Sequence, residues 1–250
     1  MDKHEALDFM KRALSDVYRK AQNENNYEVY DKSRFDEVTS LDYYIEKRLI
    51  ETIREFDPKA VFLSEEYNSE AGFDKNIWII DPIDGTCNMT HGIQTFGIQC
   101  AVCENKKPMA AAIYFPFSDE MFTAVSEEGA WLNGERIKAA ARPVERSLIS
   151  FGDFMRDEAL FTLEKTIMNY VAERVERIRM YGAASMDFCY AACGRLDGNF
   201  TFTPNKWDIV PGYLLCKEAG LIITDVYGHP YSLEDSETIA VFATRELYEA

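Results

Sequence analysis

An apolar run, Trp78-Ile79-Ile80, ends on Asp81, and the five residues that follow, Pro82-Ile83-Asp84-Gly85-Thr86, carry a second carboxylate and a glycine. Aromatic and β-branched residues in succession read as a short strand. Asp-Pro and Asp-Gly are turn dipeptides, so the chain is expected to leave the strand through Pro82, present Asp84, and then offer the backbone N–H groups of Gly85 and Thr86 with little side chain in the way. An ordinary tight turn would account for the segment taken alone. Two carboxylates forced together at a strand end, however, repel each other unless a cation lies between them.

The flanking patterns say what this strand sits among. Leu7, Met10, Leu14 and Val17 make the stripe of an amphipathic helix over residues 2–22, and Leu41, Tyr44, Ile45, Leu49, Ile53 and Phe56 repeat at helical spacing after a cap at Thr39 or Ser40. The polar, aperiodic stretch Asn23 to Asp36 between them reads as a mobile loop. From residue 60 the signal changes to strands: 60–63, 77–80, 97–102, 109–114 and 120–125, with Asn133-Gly134 as a hairpin turn. The second half alternates, with strands at 148–151, 178–181, 199–202 and 221–224 and helices at 159–171, 184–193 and 208–219, the last closed by Gly220. Such alternation predicts a sheet covered by helices, and hence an α/β (α+β) protein. A boundary falls at Ala140 to Ser147, giving an N-terminal α+β part over 1–145 and a C-terminal α/β part over 146–250, expected to form one compact catalytic unit.

Composition narrows the partners. The 250 residues include 27 Lys+Arg against 43 Asp+Glu, a formal net charge of −16, whose field repels nucleic acid and anionic lipid alike. A phosphorylated small molecule remains admissible where backbone N–H groups or metal ions reverse the sign locally. The longest unbroken apolar run, Met109 to Phe115, is far short of the roughly 20 residues that span a bilayer, and the start does not read as a signal peptide. A cytoplasmic protein is expected, with its six cysteines kept as thiols.

Other acidic residues fall at comparable places. Glu65-Glu66 follows the apolar run 60–63, and Asp208 stands at the head of an apolar helix, where alone it would read as a cap. Glu65, Asp81, Asp84 and Asp208 form an all-oxygen donor set, with no histidine or thiol among them. That set suits Mg²⁺, with Mn²⁺ as an alternative, better than zinc. Cys100 and Cys103 fall on opposite faces of a strand, which argues against a thiolate site, and they read as buried structural thiols. His91 reads as a surface loop histidine.

With these motifs in view, the chain resembles the inositol monophosphatase family, part of the lithium-sensitive, magnesium-dependent phosphatase superfamily that includes fructose-1,6-bisphosphatases. Val38-Thr39-Ser40-Leu41-Asp42 is similar to its early V-T-x-x-D, Glu65-Glu66 to its G-E-E, and Asp81 to Thr86 matches its D-P-I-D-G-T unaltered. Trp207-Asp208 matches its W-D, Gly182-Ala183-Ala184 resembles its G-T-A turn, and Glu218-Ala219-Gly220 its E-A-G. The resemblance implies a layered αβαβα sandwich, a likeness to homodimers, and two Mg²⁺ ions. One would be held by Glu65, Asp81 and the carbonyl of Ile83, the other by Asp81, Asp84 and Asp208. A weaker third would involve Glu65 and Asp42. It further implies that Glu65 and Thr86, with Asp84 beside them, activate a water that displaces the alcohol in line. Gly85, Gly182, Ala183, Ala184 and Thr201 would join Asp84, Thr86 and Asp208 around the substrate.

Two departures bear on specificity. The place of the polyol-gripping glutamate of the family's animal-type inositol enzymes falls at Thr201 in this chain, and the place of an early lysine is taken by Asp31, with Lys32 adjacent. The expectation is therefore a magnesium-dependent, lithium-sensitive phosphomonoesterase, a hydrolase of a small polyol or sugar phosphate such as inositol 1-phosphate. The alternatives are fructose-1,6-bisphosphatase or NADP phosphatase activity and, in another class, a catalytically idle regulatory binding protein.

Overall fold

A computed structural model describes residues 1–22, 27–73, 76–154, 157–202, 204–234 and 239–250. Asp2 opens α1 (Lys3–Ala21) by accepting from the N–H groups of His4 and Glu5 at 2.9 and 3.0 Å, the usual remedy for the free donors of a first turn. The stretch expected to be a loop is instead, from residue 29 on, an antiparallel hairpin of β1 (Val29–Ser33) and β2 (Asp36–Thr39); positions 23–26 lie outside the described residues. All five residues of β1 are exposed, so no apolar alternation existed to reveal it. Thr39 caps α2 (Ser40–Phe56) through a capping box with Asp42.

A seven-stranded sheet follows, in spatial order β3 (Phe62–Ser64), β4 (Ile77–Asp84), β5 (Gly97–Glu104), β6 (Lys107–Phe115), β7 (Glu120–Val125), β8 (Gly129–Leu132) and β9 (Glu135–Ile137). Only the β3–β4 pair is parallel. Between β4 and β5 lies a one-turn helix, α3 (Thr86–Thr90), absent from the sequence reading. The Asn133-Gly134 turn joins β8 to β9 with both residues at positive φ, 49° and 86°, as a type I′ hairpin requires. Trp78, Ile80, Cys100 and Val102 pack toward α1 and α2, whereas Ile79, Ala101 and Cys103 belong to the core on the other face; Cys100 and Cys103 are thus buried on opposite sides. Phe9 stacks on Phe56 with centroids 4.3 Å apart, and both meet Trp78 edge-on at 5.9 and 6.2 Å. Such pairs contribute about 0.5–1.5 kcal/mol each beyond burial and fix the start of β4.

The second sheet runs β11 (Arg177–Arg179), β10 (Leu148–Phe151), β12 (Gly198–Thr201), β14 (Ala240–Ala243), β13 (Ile222–Thr224). β10 is parallel to both of its neighbours, and β14 is antiparallel to β12 and β13. The short apolar run of β14 gave no signal, and neither did the terminal turn α7 (Arg245–Glu249). The strand expected at 178–181 is shifted to Arg177–Arg179. Helices α5 (Ala184–Ala192) and α6 (Lys206–Glu218) lie between the two sheets, and α4 (Glu158–Ala172) covers the outer face of the second through Ile167, Met168 and Val171. The order is therefore α, β, α, β, α, as the resemblance implied. α5 and α6 approach so closely that a Cβ on Gly212 would fall 2.1 Å from Phe188 Cδ2. Among the described residues, no helix is long and apolar enough to cross a membrane.

Candidate metal centre and cleft

Residues three apart on a regular strand point to opposite faces, so Asp81 and Asp84 need a device to converge. The device is a bulge. Asp81 pairs with Gln99 and Asp84 with Gly97, so three steps on β4 match two on β5. The chain does not turn at Pro82 as expected; the strand continues through it, and the irregular register accommodates a residue with no N–H to give. Gly85 then adopts a φ of 94°, and a Cβ there would lie 3.0 Å from that of Ala183 and 3.1 Å from the Thr95 carbonyl oxygen.

Asp208 joins them from α6. Asn205 is the N-cap of that helix, and Asp208 is its third residue, accepting from the Asn205 N–H and side-chain amide at 3.1 Å each. The cap expected at Asp208 is thus one half of a capping box, which leaves its other oxygen free to face the strand. One carboxylate oxygen from each of Asp81, Asp84 and Asp208 lies within 4.8 Å of the others.

Each of the three is held. Ala184 N–H and Ser185 N–H donate to Asp84 at 3.1 and 2.6 Å, and the Ser185 hydroxyl donates to it as well. Gln99 Nε2 donates to Asp81 Oδ2 at 3.0 Å and reaches the carbonyl oxygen of Asp208 at 3.4 Å. Asp81 Oδ1 is buried and has no hydrogen-bond partner.

Glu65 follows β3 and lies outside the group of three; Lys32 Nζ pairs with it at 2.9 Å and with Glu66. The hairpin register slips between Asp31 and Ser33, so the misplaced lysine of the sequence still delivers its ammonium to this turn. Glu46, fully buried on α2, braces the turn by accepting from the N–H groups of Glu66 and Tyr67 at 2.8 and 2.9 Å and from the Ser64 hydroxyl. Asp42 is also outside the group, with its oxygens facing Thr39 N–H at 2.9 Å and the Thr86 hydroxyl at 3.1 Å. The same hydroxyl is 3.0 Å from the Ile83 carbonyl oxygen.

The site opens into a cleft of about 920 Å³ bordered by Gly85, Thr86, Gly182, Ala183, Ala184 and Thr201. Asn88 of α3 fastens the Gly182 turn by donating to the Tyr181 carbonyl at 2.7 Å. Thr201 ends β12 almost buried, its hydroxyl donating to Asn199. Asp187 also borders the cleft, fully buried with Oδ1 unpartnered. His91 is exposed on the far end of α3 and does not line the cleft. Gln99, Ser185, Glu46, Asn88 and Asp187 escaped the sequence reading. Glu46, one helical turn after Asp42, carried a usable signal; the others come from segments that read only as core.

Burial dominates the acidities. It pushes Glu65 up to about 8 against the pull of Lys32, with Glu66 and Asp208 adding to the rise. It lifts Asp208 to about 7, helped by the charge of Asp84. Asp81 is raised well above the usual carboxylate range by burial and then by Glu65, Asp84 and Asp208. Crowded carboxylates with one oxygen orphaned and no nitrogen or sulfur donor among them are the donor set of a hard divalent cation, so the residues present fit such an ion.

Comparison with known proteins agrees with this chemistry. The sequence model of the inositol monophosphatase family matches residues 3–250. The Nus factor SuhB of Haemophilus influenzae is 35% identical over 217 residues, 83% of this chain and 81% of that protein. Inositol monophosphatase 1 of Solanum lycopersicum is 30% identical over 242 residues, 94% of this chain and 88% of the tomato protein. Among solved structures, the extragenic suppressor protein suhB of Bartonella henselae superposes with a TM-score of 0.87 at 29% identity, covering 98% of this chain and 96% of that one.

Proposed function

Because the chain belongs to the inositol monophosphatase family, we propose that it is a divalent-metal-dependent phosphomonoesterase acting on a small polyol or sugar phosphate such as inositol 1-phosphate. One observation carries this reading: three carboxylates with an oxygen each within 4.8 Å of one another, with Asp81 Oδ1 buried and unpartnered, beside the Gly85-Thr86 turn that borders the cleft. In this proposal Glu65, Asp81 and the Ile83 carbonyl hold one ion and Asp81, Asp84 and Asp208 a second, with Glu65 and Asp42 near a weaker third. Bound Mg²⁺ or Mn²⁺ supplies the positive charge that acidifies the attacking water and takes up charge on the leaving oxygen.

The chain's own residues do the rest. Thr86, its hydroxyl steered by Asp42 and the Ile83 carbonyl, orients the water, and Glu65 takes its proton; Asp84 fixes the geometry opposite the leaving group. The N–H groups of Gly85 and Thr86 orient the phosphate oxygens for in-line displacement without a covalent phosphoenzyme. The Gly182–Ala184 turn, Thr201 and Asp208 border the alcohol. The parts 1–145 and 146–250 act as one catalytic unit, since carboxylates from both are needed. We extend the proposal to a cytoplasmic homodimer inhibited by Li⁺.

Thr201 in place of a charged acceptor, together with the size of the cleft, favours a second substrate reading, fructose 1,6-bisphosphate or NADP. The name of the Haemophilus relative supports a third, a catalytically idle regulatory protein. Phosphate release in Mg²⁺ from inositol 1-phosphate, fructose 1,6-bisphosphate, NADP and 3′-phosphoadenosine 5′-phosphate separates them. Chelator-sensitive release from at least one is expected; release that survives a chelator rejects the metal-dependent reading, and no release from any rejects the phosphatase.

A further inference from the structure

The cleft is one-sided in charge. Asp31, Asp36, Glu37, Asp153 and Asp157 border it in addition to the central carboxylates, and among the described residues Arg34 is the single cation in its lining. Arg34 forms the tip of the β1–β2 hairpin with Phe35. Although Asp31 and Asp36 stand close by in sequence, Arg34 makes no ion pair among the described residues; its guanidinium lies over the Phe35 ring, 5.0 Å from the centroid. The other cation of this hairpin, Lys32, is committed to Glu65 and Glu66. A guanidinium kept clear of nearby carboxylates, resting on an aromatic face at the mouth of an acidic cleft, retains its planar fork of donors for an incoming oxyanion.

The volume points the same way. Small-molecule sites run from about 300 to 1,000 Å³, and at about 920 Å³ this cleft is near the top of that range, larger than a polyol monophosphate requires. Among the charged side chains described in its lining, all but Arg34 are carboxylates, so Arg34 is the one charged partner there for a second anionic group. We propose that Arg34 forms a subsite for the second anionic group, a phosphate or pyrophosphate, of a phosphomonoester ligand. The proposal rests on the phosphatase reading for the first phosphate and adds a specificity-determining residue at the rim.

The test compares ligands that share one phosphate and differ in the second: fructose 1,6-bisphosphate against fructose 1-phosphate, and adenosine 2′,5′-bisphosphate against adenosine 2′-monophosphate. Dissociation constants are measured by calorimetry with Ca²⁺ in place of Mg²⁺, and kcat/KM with Mg²⁺, for the wild type, Arg34→Lys and Arg34→Gln. The wild type is expected to favour the bisphosphate of at least one pair by tenfold or more. Arg34→Gln should bring that ratio near one, and Arg34→Lys, which keeps the charge and loses the fork, should fall between. The pair that responds tells a sugar bisphosphate from a nucleotide. A wild-type binding ratio near one in both pairs, or a ratio unmoved in Arg34→Gln, overturns the subsite. Absence of phosphate release with the Arg34-dependent binding ratio intact supports the subsite and removes the phosphatase reading alone.

Discussion

Along β4 all eight residues are buried and the carboxylates are gripped by Gln99, Ser185, Ala184 and Asn205, whereas all five residues of β1 are exposed and the guanidinium of Arg34 at the hairpin tip lies over the Phe35 ring. The floor of the cleft is fixed by packing and by hydrogen bonds that a substitution cannot remove without leaving a buried group unpaired, at about 1–3 kcal/mol each. The rim carries no such penalty. A fold arranged in this way can keep the carboxylate floor constant while its exposed hairpin varies.

The contrast can be broken most severely at its centre. Asp81→Asn should lower kcat by about a thousandfold or more, since one side chain is asked to serve two ions; near-normal kcat in Mg²⁺ would contradict that assignment. Gln99→Leu should weaken divalent-ion binding by about 10–100-fold, the usual range for a residue that orients a ligand, and, by leaving buried Asp81 Oδ2 without its donor, lower the stability of the metal-free protein by about 1–3 kcal/mol. Titration with Mg²⁺ by calorimetry reads the first quantity and thermal unfolding in a chelator the second; unchanged affinity would reduce Gln99 to packing.

Away from the carboxylates the expected effects shrink. Thr201→Glu should raise the preference for inositol 1-phosphate over other phosphomonoesters by about tenfold, because a charged acceptor adds hydrogen bonds of roughly 1.5–3 kcal/mol to ring hydroxyls. A wild-type preference for inositol 1-phosphate of about a hundredfold by kcat/KM would mean that another group already supplies the grip. The smallest effect is on stability. Folded Glu65 and Asp208 titrate near 8 and 7, above the value of about 4 for unfolded carboxyls. Between those limits the folded state holds protons that the unfolded chain has lost, so without metal these groups' contribution to stability is greatest at low pH and declines as pH rises from about 4 to 8. Melting temperature in a chelator should therefore fall from pH 5 to pH 8.5, and Mg²⁺ should raise it more at the higher pH. A metal-free melting temperature that climbs over this range would count against the burial of these carboxylates.

The layers were legible because their signals are local: the α1 and α2 stripes, the 77–80 run and the Asn-Gly turn each announce an element through neighbours in sequence. So were Asp81, Asp84 and Asp208, through the residues beside them. The bulge was not legible, since a register mismatch is a property of two strands, and only β5 shows why Asp81 and Asp84 face the same way. Gln99 was hidden for the same reason, as a polar residue inside the otherwise apolar stretch 97–103 that acquires meaning from what lies across from it. The β1–β2 hairpin was missed because an exposed two-stranded ribbon needs no apolar alternation.

Asp84 accepts from Ala184 and Ser185, 100 and 101 positions further along, and Gln99 reaches Asp208 across 109. The entropy of closing such loops must be spent before the contacts reward it, and none of these contacts can form within residues 1–145 or 146–250 alone. A chain released before its last hundred residues, or cut in the exposed stretch near Ala141 between the two sheets, possesses Asp81, Asp84 and Thr86 yet lacks the clasp that orients them. The clasp is thereby a property of the finished molecule, and a divalent ion held by the three carboxylates would act as a rivet between β4 and α6.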